Sequence, residues 1–429
     1  MTEQLAILGG EPIRKETLPP YNTIGNEEKN EVLKVLEKGE LSGFVAGNTE
    51  NFWGGEYVKK LENNFKSYFN VKYAVAVNSA TSGLHAVLSA TGIGPGDEII
   101  TSPYTQAASA TTALFCGAIP IFADIEEDTF CLDPKSVEKL ISPNTKVIVA
   151  VNIFGMAANL EALKNIAIKH NLFLIEDNAQ APGAKYNSKY TGTIGDAGVF
   201  SFNRHKTIQC GEGGVIITNN EKLATKAALM RNHGELTVDG MEMNDIVNTV
   251  GVNYRMTEME AAVANVQFKK LESLNDYRIK LADHLTSKLQ KISGISTPKI
   301  RENCTHVYYF YVMLYDQNIT KVPRELFVKA INAEGFPLRA GYVRPIYLEP
   351  LYQKKICFGK SGFPFSYNNR NDEISYNEGI CPVTERLHNE KLMLTNFIFP
   401  PLTINDIEKF AYAFEKVLSN KEKLLNKIS

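Results

Sequence analysis

The sequence predicts an α/β protein with a mostly parallel sheet in a large domain and a smaller α+β domain after it. Two observations carry this prediction. Between residues 73 and 218, short apolar runs typical of buried strands alternate with segments whose apolar residues recur at helical spacing. Such alternation favours a parallel sheet covered by helices on both faces. After residue 256 the pattern changes to longer helical segments and isolated strands, which indicates a second unit.

The predicted elements follow one another in a regular order. The apolar strand runs are Tyr73–Val77, Glu98–Thr101, Ile119–Asp124, Val147–Asn152, Leu172–Asp177, Val199–Phe202 and Val215–Thr218. Helical spacing predicts helices at Glu27–Lys38, Tyr57–Phe69, Leu84–Ala90, Ala108–Phe115, Pro134–Leu140 and Leu160–His170. One long helix, kinked or broken between Ser273 and Asp276, is expected over Met256–Leu289. The smaller unit is expected to contain the strand Val307–Leu314 and the helices Arg324–Glu334 and Ile404–Leu418.

These elements suggest three parts of the chain. Residues 1–25 mix Gly, Pro and Thr and are expected to form an extended arm. Residues 26–270 would form the large domain, and residues 271–429 the linking helix and a small C-terminal domain. A chain of 429 residues is long enough for two domains with separate cores. The polar, glycine-rich loop at residues 41–55 is long enough to border a substrate pocket.

Composition narrows the class of protein. An apolar fraction of 44% is ordinary for a globular protein, and a formal charge of −2 gives no reason to expect nucleic acid or an anionic membrane as a partner. The sequence shows neither a basic segment leading into an apolar run at its start nor an apolar stretch long enough to span a bilayer. The six cysteines are dispersed without a Cys-x-x-Cys pair, so structural zinc is not expected and a reducing cytoplasm is the expected location.

A glycine-rich loop between two expected strands carries one lysine. Arg204, His205 and Lys206 precede the run Gly211-Glu212-Gly213-Gly214. A lysine amine can form a Schiff base with an aldehyde when burial or a nearby positive charge lowers its pKa, and Arg204 and His205 are candidates for that charge. The alternative is a solvated lysine on a surface loop, which this segment taken alone favours.

Two further segments supply the partners that such a lysine needs. The expected strand before residue 178 ends in Glu176 and Asp177, and the carboxyl end of a parallel strand faces a crevice. A carboxylate there can pair with a protonated pyridine nitrogen and make the ring an electron sink. Small hydroxyl residues between Asn78 and Gly83 open a helix whose free N–H groups favour a phosphate. Together the three segments predict a site for pyridoxal phosphate.

The same segments resemble the DegT-type (DegT/DnrJ/StrS) sugar aminotransferases, a branch of the fold-type I pyridoxal-phosphate enzymes. The matching segments are Asn78–His85, Ile175–Ala184, Gly195–Thr218, Arg231–Gly234, Gly251–Met256 and Cys381–Leu387. They span nearly the whole chain, and the Ser-Phe-x-x-x-Lys pattern ending at Lys206 is highly specific. The resemblance implies an aspartate-aminotransferase-like fold with a three-layer large domain. Residues 5–12 and the long segment before Cys381 are most similar to the group that acts on cyclitol ketones.

The resemblance also assigns the groups around the pyridine ring. Lys206 would hold the cofactor as a Schiff base and then act as general base and acid. Asp177 would pair with the pyridinium nitrogen, with a turn-capping carboxylate as the alternative. Gln180 is similar to the family residue that contacts the phenolic oxygen of the cofactor, with a solvated glutamine as the alternative.

The phosphate of the cofactor would be held by a second group of residues. Ala80 and Thr81 would contribute backbone N–H groups, and Thr81 its hydroxyl as well. Ser201 would add its hydroxyl, although a small core residue satisfied by the backbone is a serious alternative. Asn253 matches the family residue that reaches the phosphate in the neighbouring subunit's site, which implies a two-fold homodimer with shared active sites.

One position departs from the family pattern. The family usually places Trp or Phe over the pyridine ring at a site where this sequence has Gln106. Either Gln106 covers the ring with its amide plane, or Tyr104 takes over the stacking. Elsewhere, His233, Arg231 and the segment Tyr342–Tyr347 are weak candidates for lining the substrate site. Arg344 is a candidate for binding a carboxylate or a phosphate, with an exposed salt bridge as the alternative.

The sequence therefore predicts a pyridoxal-phosphate-dependent aminotransferase. It would move an amino group from glutamate or glutamine to a keto sugar, a nucleotide-linked keto sugar or a cyclitol ketone. One alternative is a sugar dehydratase or an aromatising synthase of the same fold, although relatives that dehydrate carry His where this chain has Lys206. The other is a non-catalytic regulator that binds pyridoxal phosphate. The sequence does not identify the acceptor, the amino donor or the ring carbon that receives the nitrogen.

Overall fold

The computed structural model describes residues 3–367 and 374–426. In chain order its strands are β1 (Tyr73–Val77), β2 (Glu98–Thr101), β3 (Ile119–Phe122), β4 (Thr145–Val151), β5 (Phe173–Asp177), β6 (Lys185–Tyr186), β7 (Lys189–Tyr190), β8 (Ala197–Ser201), β9 (Gly214–Thr218), β10 (Ile295–Ser296), β11 (Tyr311–Tyr315), β12 (Arg339–Ala340) and β13 (Leu392–Thr395). Its helices are α1 (Asn26–Lys38), α2 (Glu56–Phe69), α3 (Ala80–Ala90), α4 (Ala108–Phe115), α5 (Pro134–Leu140), α6 (Leu160–His170), α7 (Glu221–Arg231), α8 (Glu258–Lys269), α9 (Leu271–Leu289), α10 (Gln317–Thr320), α11 (Arg324–Ala333), α12 (Pro350–Gln353), α13 (Pro382–Arg386), α14 (Ile404–Ser419) and α15 (Lys421–Asn426).

The large sheet has seven strands in the order β1-β9-β8-β5-β4-β2-β3. Strands β3, β2, β4, β5 and β8 pair in parallel, whereas β9 runs antiparallel to both β8 and β1. Strand β1 therefore points in the same direction as the parallel set. The predicted mostly parallel sheet is confirmed, and the carboxyl ends of β1, β2, β5 and β8 lie along one edge.

Apolar side chains on both faces of this sheet make the large domain three layers thick. On one face, Val77, Val149, Ile175 and other strand residues pack against α3 and α7. On the other face, α2 and α8 cover the β9 end of the sheet. Further along that face, α5 and α6 pack against β4. Burial of both faces of the sheet is what the continuous apolar runs of its strands predict.

The smaller unit is built on a four-stranded antiparallel sheet in the order β10-β11-β13-β12. Its core joins β11 and β13 to α9, α11 and α14. The N-terminal arm packs here as well, because Leu5 is buried in this core and the N–H of Ala6 donates to Glu334 at 2.9 Å. The proposed boundaries after residues 25 and 270 stay predictions.

The predicted long helix over Met256–Leu289 is wrong in one respect. The chain forms two helices, α8 and α9, which meet at Lys270 and not between Ser273 and Asp276. At Lys270 the backbone tightens to an N–H bond with the carbonyl of Gln267. The Lys270 ammonium donates to the buried carboxylate of Glu28 at 2.5 Å, and this tie to the start of α1 accounts for the position of the break.

The predicted strand Val307–Leu314 is also corrected. Pairing begins only at Tyr311, because the preceding residues bond elsewhere. The N–H of Val307 donates to the carbonyl of Gly155, and the N–H of Phe310 donates to that of Phe154. Residues 307–310 therefore connect the small unit to the large domain by backbone hydrogen bonds. Among residues 3–367 and 374–426, no helix has both the length and the apolar character needed to cross a membrane.

Candidate active site

A cleft of about 690 Å³ lies at the edge of the large sheet where the parallel strands end. The predicted site residues that line it are Ala80, Thr81, Gln106, Asp177, Gln180, Ser201 and Lys206. They come from four separate places in the chain, after β1, after β2, at the end of β5 and beyond β8. The parallel topology brings them together, because the carboxyl ends of these strands share one edge. Of the predicted set, Asn253 alone is outside this lining.

Lys206 lies in a tight loop that follows β8. Its own N–H donates to the carbonyl of Asn203 at 2.8 Å, and the side chain points to Tyr309, whose ring centre is 4.5 Å from Nζ. Desolvation of the amine lowers its pKa from 10.5 to about 8, although the negative charge of Asp177 opposes this effect. A large fraction of the amine is therefore neutral near pH 8, as a nucleophile or a general base requires.

The neighbouring cations do not account for the lowered pKa of Lys206. Arg204 and His205 were the expected source of positive charge, but burial is the cause that operates here. Burial and the charges of Lys206 and Arg204 instead lower the pKa of His205. Because its pKa is lowered, His205 is already neutral at the pH where an ordinary histidine titrates, and it adds no charge beside the lysine there.

Asp177 ends β5 and is only 6% exposed. Its two oxygens accept separate hydrogen bonds, one from the Ser109 hydroxyl at 2.6 Å and one from the Ala179 N–H at 3.2 Å. These bonds fix the carboxylate in the floor of the cleft. Its neighbour Glu176 points to the opposite face of the sheet, as alternation along a strand requires.

The start of α3 forms another wall of the cleft. The Ser79 hydroxyl caps this helix by accepting from the N–H of Ser82 at 3.0 Å. Strand β9 passes so close that a Cβ on Gly214 would lie 2.8 Å from the nitrogen of Ala80. Glycine therefore leaves open the space beside the first N–H groups of α3, where the helix dipole favours an anion. The nearby Ser201 hydroxyl accepts from the N–H of Asn203 at 3.3 Å.

Gln180 faces the cleft with a fixed amide. Its Oε1 accepts from the N–H of Phe154 at 2.9 Å, so its NH₂ group is directed away from that bond. Gln180 also hydrogen-bonds to the hydroxyl of Tyr342, which counteracts the rise that burial causes in the pKa of that tyrosine, to about 12. The NH₂ group of Gln180 therefore lies beside the Tyr342 hydroxyl in the wall of the cleft.

Tyr104 is the wrong candidate for covering a ring in the cleft. It is fully buried away from the lining, and its hydroxyl accepts from the N–H of Tyr342 at 2.8 Å and lies 3.1 Å from Nδ1 of His388. The residue serves as a link between the large sheet and the small domain. Gln106 is exposed and does line the cleft, so of the two alternatives only Gln106 is in position.

The remaining sequence candidates lie elsewhere. Asn253 is exposed, and its Oδ1 accepts from Nε of Arg255 at 2.8 Å. Arg231 is buried, forms an ion pair with Glu62 at 2.7 Å and stacks on Phe44, so it is a structural residue. Arg344 lines a separate cavity of about 520 Å³ on the far side of the 342–345 segment.

Of the residues that the small domain and the arm contribute to the cleft, sequence reasoning named Tyr342, within the segment 342–347, and missed the others. Tyr309, Arg339 and Tyr342 line the cleft from the C-terminal half of the chain. Tyr21 reaches it from the arm, where its hydroxyl donates to the carbonyl of Thr207 at 2.5 Å. No glycine-rich loop or strand-end pattern marks these positions. The aromatic cluster Tyr308-Tyr309-Phe310-Tyr311 was a signal, because four consecutive aromatic rings cannot all face one core.

The lining fits pyridoxal phosphate on several counts. An amine with a lowered pKa, a buried carboxylate and an open helix N-terminus face the same space. Thr105 Oγ1 and Asn203 Oδ1 line it as buried polar atoms with no hydrogen-bond partner among the described residues. Buried polar atoms without a partner are costly unless a ligand satisfies them. No group of His, Cys, Asp and Glu side chains in the described part of the chain could hold a metal ion.

A desolvated lysine opposite a buried aspartate, at the carboxyl edge of a mostly parallel sheet, defines the class of pyridoxal-phosphate-dependent enzymes. Within that class, the chain belongs to the DegT/DnrJ/EryC1/StrS aminotransferase family, whose model matches residues 23–395. It is accordingly an aminotransferase that uses pyridoxal phosphate, in a family of sugar aminotransferases.

Individual relatives agree with this membership. The chain is 35% identical to GDP-perosamine synthase of Caulobacter vibrioides, over 70% of this chain and 79% of that protein. It is 30% identical to L-glutamine:scyllo-inosose aminotransferase of Streptomyces griseus, over 98% of this chain and 99% of the relative. Among solved structures, NtdA of Bacillus subtilis with bound cofactor PMP has a TM-score of 0.75 at 26% identity, covering 95% of this chain and 86% of that one.

Proposed function

We propose that this protein moves an amino group from L-glutamate or L-glutamine to the keto group of a sugar, a nucleotide-linked sugar or a cyclitol, with Lys206 as the catalytic residue. The observation that carries the proposal is the Lys206 amine, which has a pKa near 8 and shares a cleft with Asp177. The cleft volume of about 690 Å³ is within the range of small-molecule sites.

Each residue of the lining has a task in this reaction. Bound pyridoxal phosphate supplies an electron sink for the carbon that carries the nitrogen. Lys206 Nζ would hold the cofactor and, when free, would take a proton from that carbon and return one. Asp177 would pair with the ring nitrogen, and the Gln180 amide would donate to the phenolic oxygen. The ring of Tyr309 covers the amine and excludes water from it.

The phosphate is held by a separate set of groups in this proposal. Ala80 and Thr81 offer the first N–H groups of α3, and the Ser201 hydroxyl lies at the end of the adjacent strand β8. Gln106, which lines the cleft, would cover the ring in place of the aromatic residue that the family usually carries. These assignments are supported by the shared lining of the cleft.

We also propose a two-fold homodimer in which Asn253 reaches the partner's site. Support comes from its exposed position outside the cleft of its own chain and from large exposed apolar side chains nearby. Those side chains are Leu236, Ile246, Val247 and Val250, which are 56–76% exposed. Exposed apolar patches of this kind mark protein interfaces. All six cysteines are free thiols, which supports the cytoplasm as the location.

The acceptor is proposed at the level of its chemical class. By their names, one relative makes GDP-perosamine and another acts on scyllo-inosose, so both nucleotide-linked sugars and cyclitols occur among the homologues. Similarity over 98% of the chain to the scyllo-inosose enzyme, including residues 5–12 and the segment before Cys381, favours a cyclitol.

Spectroscopy of the two half-reactions tests this function. L-glutamate or L-glutamine should convert the cofactor to its amine form, and scyllo-inosose or a nucleotide-linked keto sugar should return the aldehyde form stoichiometrically. Lys206→Ala should abolish both spectral changes, and borohydride reduction followed by peptide mapping should place the label on Lys206 of the wild type. Consumption of the acceptor without return of the aldehyde form would indicate dehydration and contradict the proposal.

A further inference from the structure

Arg339 is a cation of the cleft that no residue in the described part of the chain neutralises. It lies on β12 of the small domain and lines the cleft with its side chain exposed. Its guanidinium forms no hydrogen bond or ion pair with any residue in the described ranges. Arg278, on α9, differs, because it donates to the Tyr308 carbonyl at 3.3 Å and lies over the ring of Tyr21. Arg339 is therefore free to bind an anion that enters the cleft.

The guanidinium of Arg339 acts on Tyr309, the residue whose ring lies against the Lys206 amine. The positive charges of Arg278 and, to a smaller extent, Arg339 counteract the rise that burial causes in the pKa of the Tyr309 hydroxyl, and the charge of Arg339 has the same effect at Tyr342. Tyr309 in turn has its ring centre 4.5 Å from Lys206 Nζ. An anionic group held by Arg339 would consequently lie near the carbon on which Lys206 acts.

The other candidate cations have different surroundings. Arg204 belongs to the lysine loop, and its charge lowers the pKa of the adjacent His205. Arg344 is only five residues beyond Arg339 in sequence, but it lines the separate cavity behind the 342–345 segment. Within the described ranges, Arg204 and Arg339 both line the cleft without a partner for the guanidinium, and of these two only Arg339 lies outside the lysine loop. Arg344 is exposed just outside the cleft.

We propose that Arg339 binds the α-carboxylate of the amino donor. This inference rests on the proposed function, in which the donor is glutamate or glutamine. Both donors carry a carboxylate on the carbon that Lys206 must deprotonate, and a guanidinium binds a carboxylate through two parallel hydrogen bonds. A cyclitol acceptor has no anionic group, so Arg339 positions the donor and contributes to the donor half-reaction alone.

The test compares the two half-reactions in Arg339→Gln. Loss of a charged hydrogen bond should raise the KM for L-glutamate and L-glutamine about 10- to 100-fold, while the half-reaction with scyllo-inosose changes less than about twofold. Binding of glutarate, an unreactive dicarboxylate, to the holoenzyme should weaken by a similar factor in a spectrophotometric titration. Arg339→Lys should recover part of the loss. Arg344→Gln, the matched control, should leave donor KM and glutarate binding unchanged.

The outcomes separate this inference from the function on which it rests. If the wild type reacts with neither donor, the proposed function fails. If the wild type reacts and Arg339→Gln retains its donor KM and glutarate affinity, the inference is overturned while the function stands. It is also overturned if Arg344→Gln shows the loss, or if Arg339→Gln weakens only the reaction with a nucleotide-linked sugar. Should Arg339→Gln fail to fold, the same comparisons are made with Arg339→Lys, where an unchanged donor KM and unchanged glutarate affinity would overturn the inference.

Discussion

At the scale of single residues, the reactivity of the cleft depends on how little water surrounds the Lys206 amine. An exposed lysine is almost entirely protonated at neutral pH and cannot attack an aldehyde. The ring of Tyr309 and the walls of the cleft remove that hydration, and the charged form loses more from this than the neutral form. The fold thereby lowers the pKa of the amine by desolvation and not through the neighbouring positive charges.

This desolvation predicts the pH dependence of cofactor capture. Because the pKa of Lys206 is lowered to about 8, the neutral amine accumulates as pH rises through 8. The rate at which the cofactor-free protein captures pyridoxal phosphate should increase about tenfold per pH unit below 7 and level off above 8.5. Stopped-flow absorbance between pH 6 and 9.5 measures this rate, with Nα-acetyl-lysine, whose ε-amine is free, as the reference amine. A rate that continued to rise up to pH 9.5 would contradict the desolvation.

The two acids at the end of β5 show what residue patterns can and cannot predict. Their position at a strand end was evident from the sequence, and so was the crevice that Asp177 faces. Glu176 is buried instead, where it accepts from the N–H groups of Gly192, Ile194 and Gly195, and burial raises its pKa. Alternation along a strand predicts opposite directions for neighbours. Which acid faces the cleft was assigned by resemblance, since alternation alone does not say.

At the scale of secondary structure, most elements follow directly from local patterns. Apolar runs and helical spacing place the strands and helices of the large domain within one or two residues at most ends. The two failures, at Lys270 and before Tyr311, both have long-range causes. In each case the backbone is set by a contact with a distant segment, Glu28 in one and Phe154–Gly155 in the other. A local pattern contains no information about such partners.

The meeting of β9 with the start of α3 gives a prediction about glycine. In Gly214→Ala the new Cβ would lie 2.7 Å from the Phe200 carbonyl oxygen and 2.8 Å from the Ala80 nitrogen, so the backbone beside the proposed phosphate site must shift. We expect pyridoxal phosphate to bind at least 10-fold more weakly and the unfolding free energy to fall by about 1–3 kcal/mol. Absorbance titration and thermal unfolding measure the two effects.

Gly94→Ala is the control for this substitution, because a Cβ there meets no atom within 4 Å. It should leave both cofactor affinity and stability close to the wild type. Equal cofactor affinity in Gly214→Ala and Gly94→Ala would show that the close approach of β9 does not shape the phosphate site.

At the scale of the whole molecule, the cleft is assembled from segments that no single motif contains. The small domain contributes Tyr309, Arg339 and Tyr342, and the arm contributes Tyr21. The sequence predicted the large-domain half of the site because strand ends and a lysine loop are local signals. The other half depends on how two domains pack together. These segments carry no local motif for an acceptor, so the acceptor could not be predicted from local patterns.

The proposed homodimer gives a prediction that hybrid dimers can test. Lys206→Ala and Asn253→Ala homodimers should each have impaired activity. If Asn253 acts in the partner's site, a hybrid of the two chains contains one complete site, because its intact Lys206 faces the partner's intact Asn253. Co-purification through two different affinity tags should then recover about half of the wild-type activity.

A different activity is expected of the hybrid dimer if the active sites are not shared. If Asn253 acts within its own chain, neither site of the hybrid is complete, and activity should be about half that of the Asn253→Ala homodimer, because only one site keeps Lys206. Light scattering should show dimers in both cases, and a fully active monomer at high dilution would contradict the shared site.

The tie between Tyr21 and the lysine loop has a consequence for biogenesis. The hydroxyl of Tyr21 bonds to the carbonyl of Thr207 across 186 positions of sequence, and Tyr309 closes the same loop from more than a hundred positions on the other side. A ribosome has therefore made most of the polypeptide before the amine is enclosed. The desolvation that lowers the pKa of Lys206 is consequently complete only once synthesis has passed Tyr309, beyond the first strand of the second sheet.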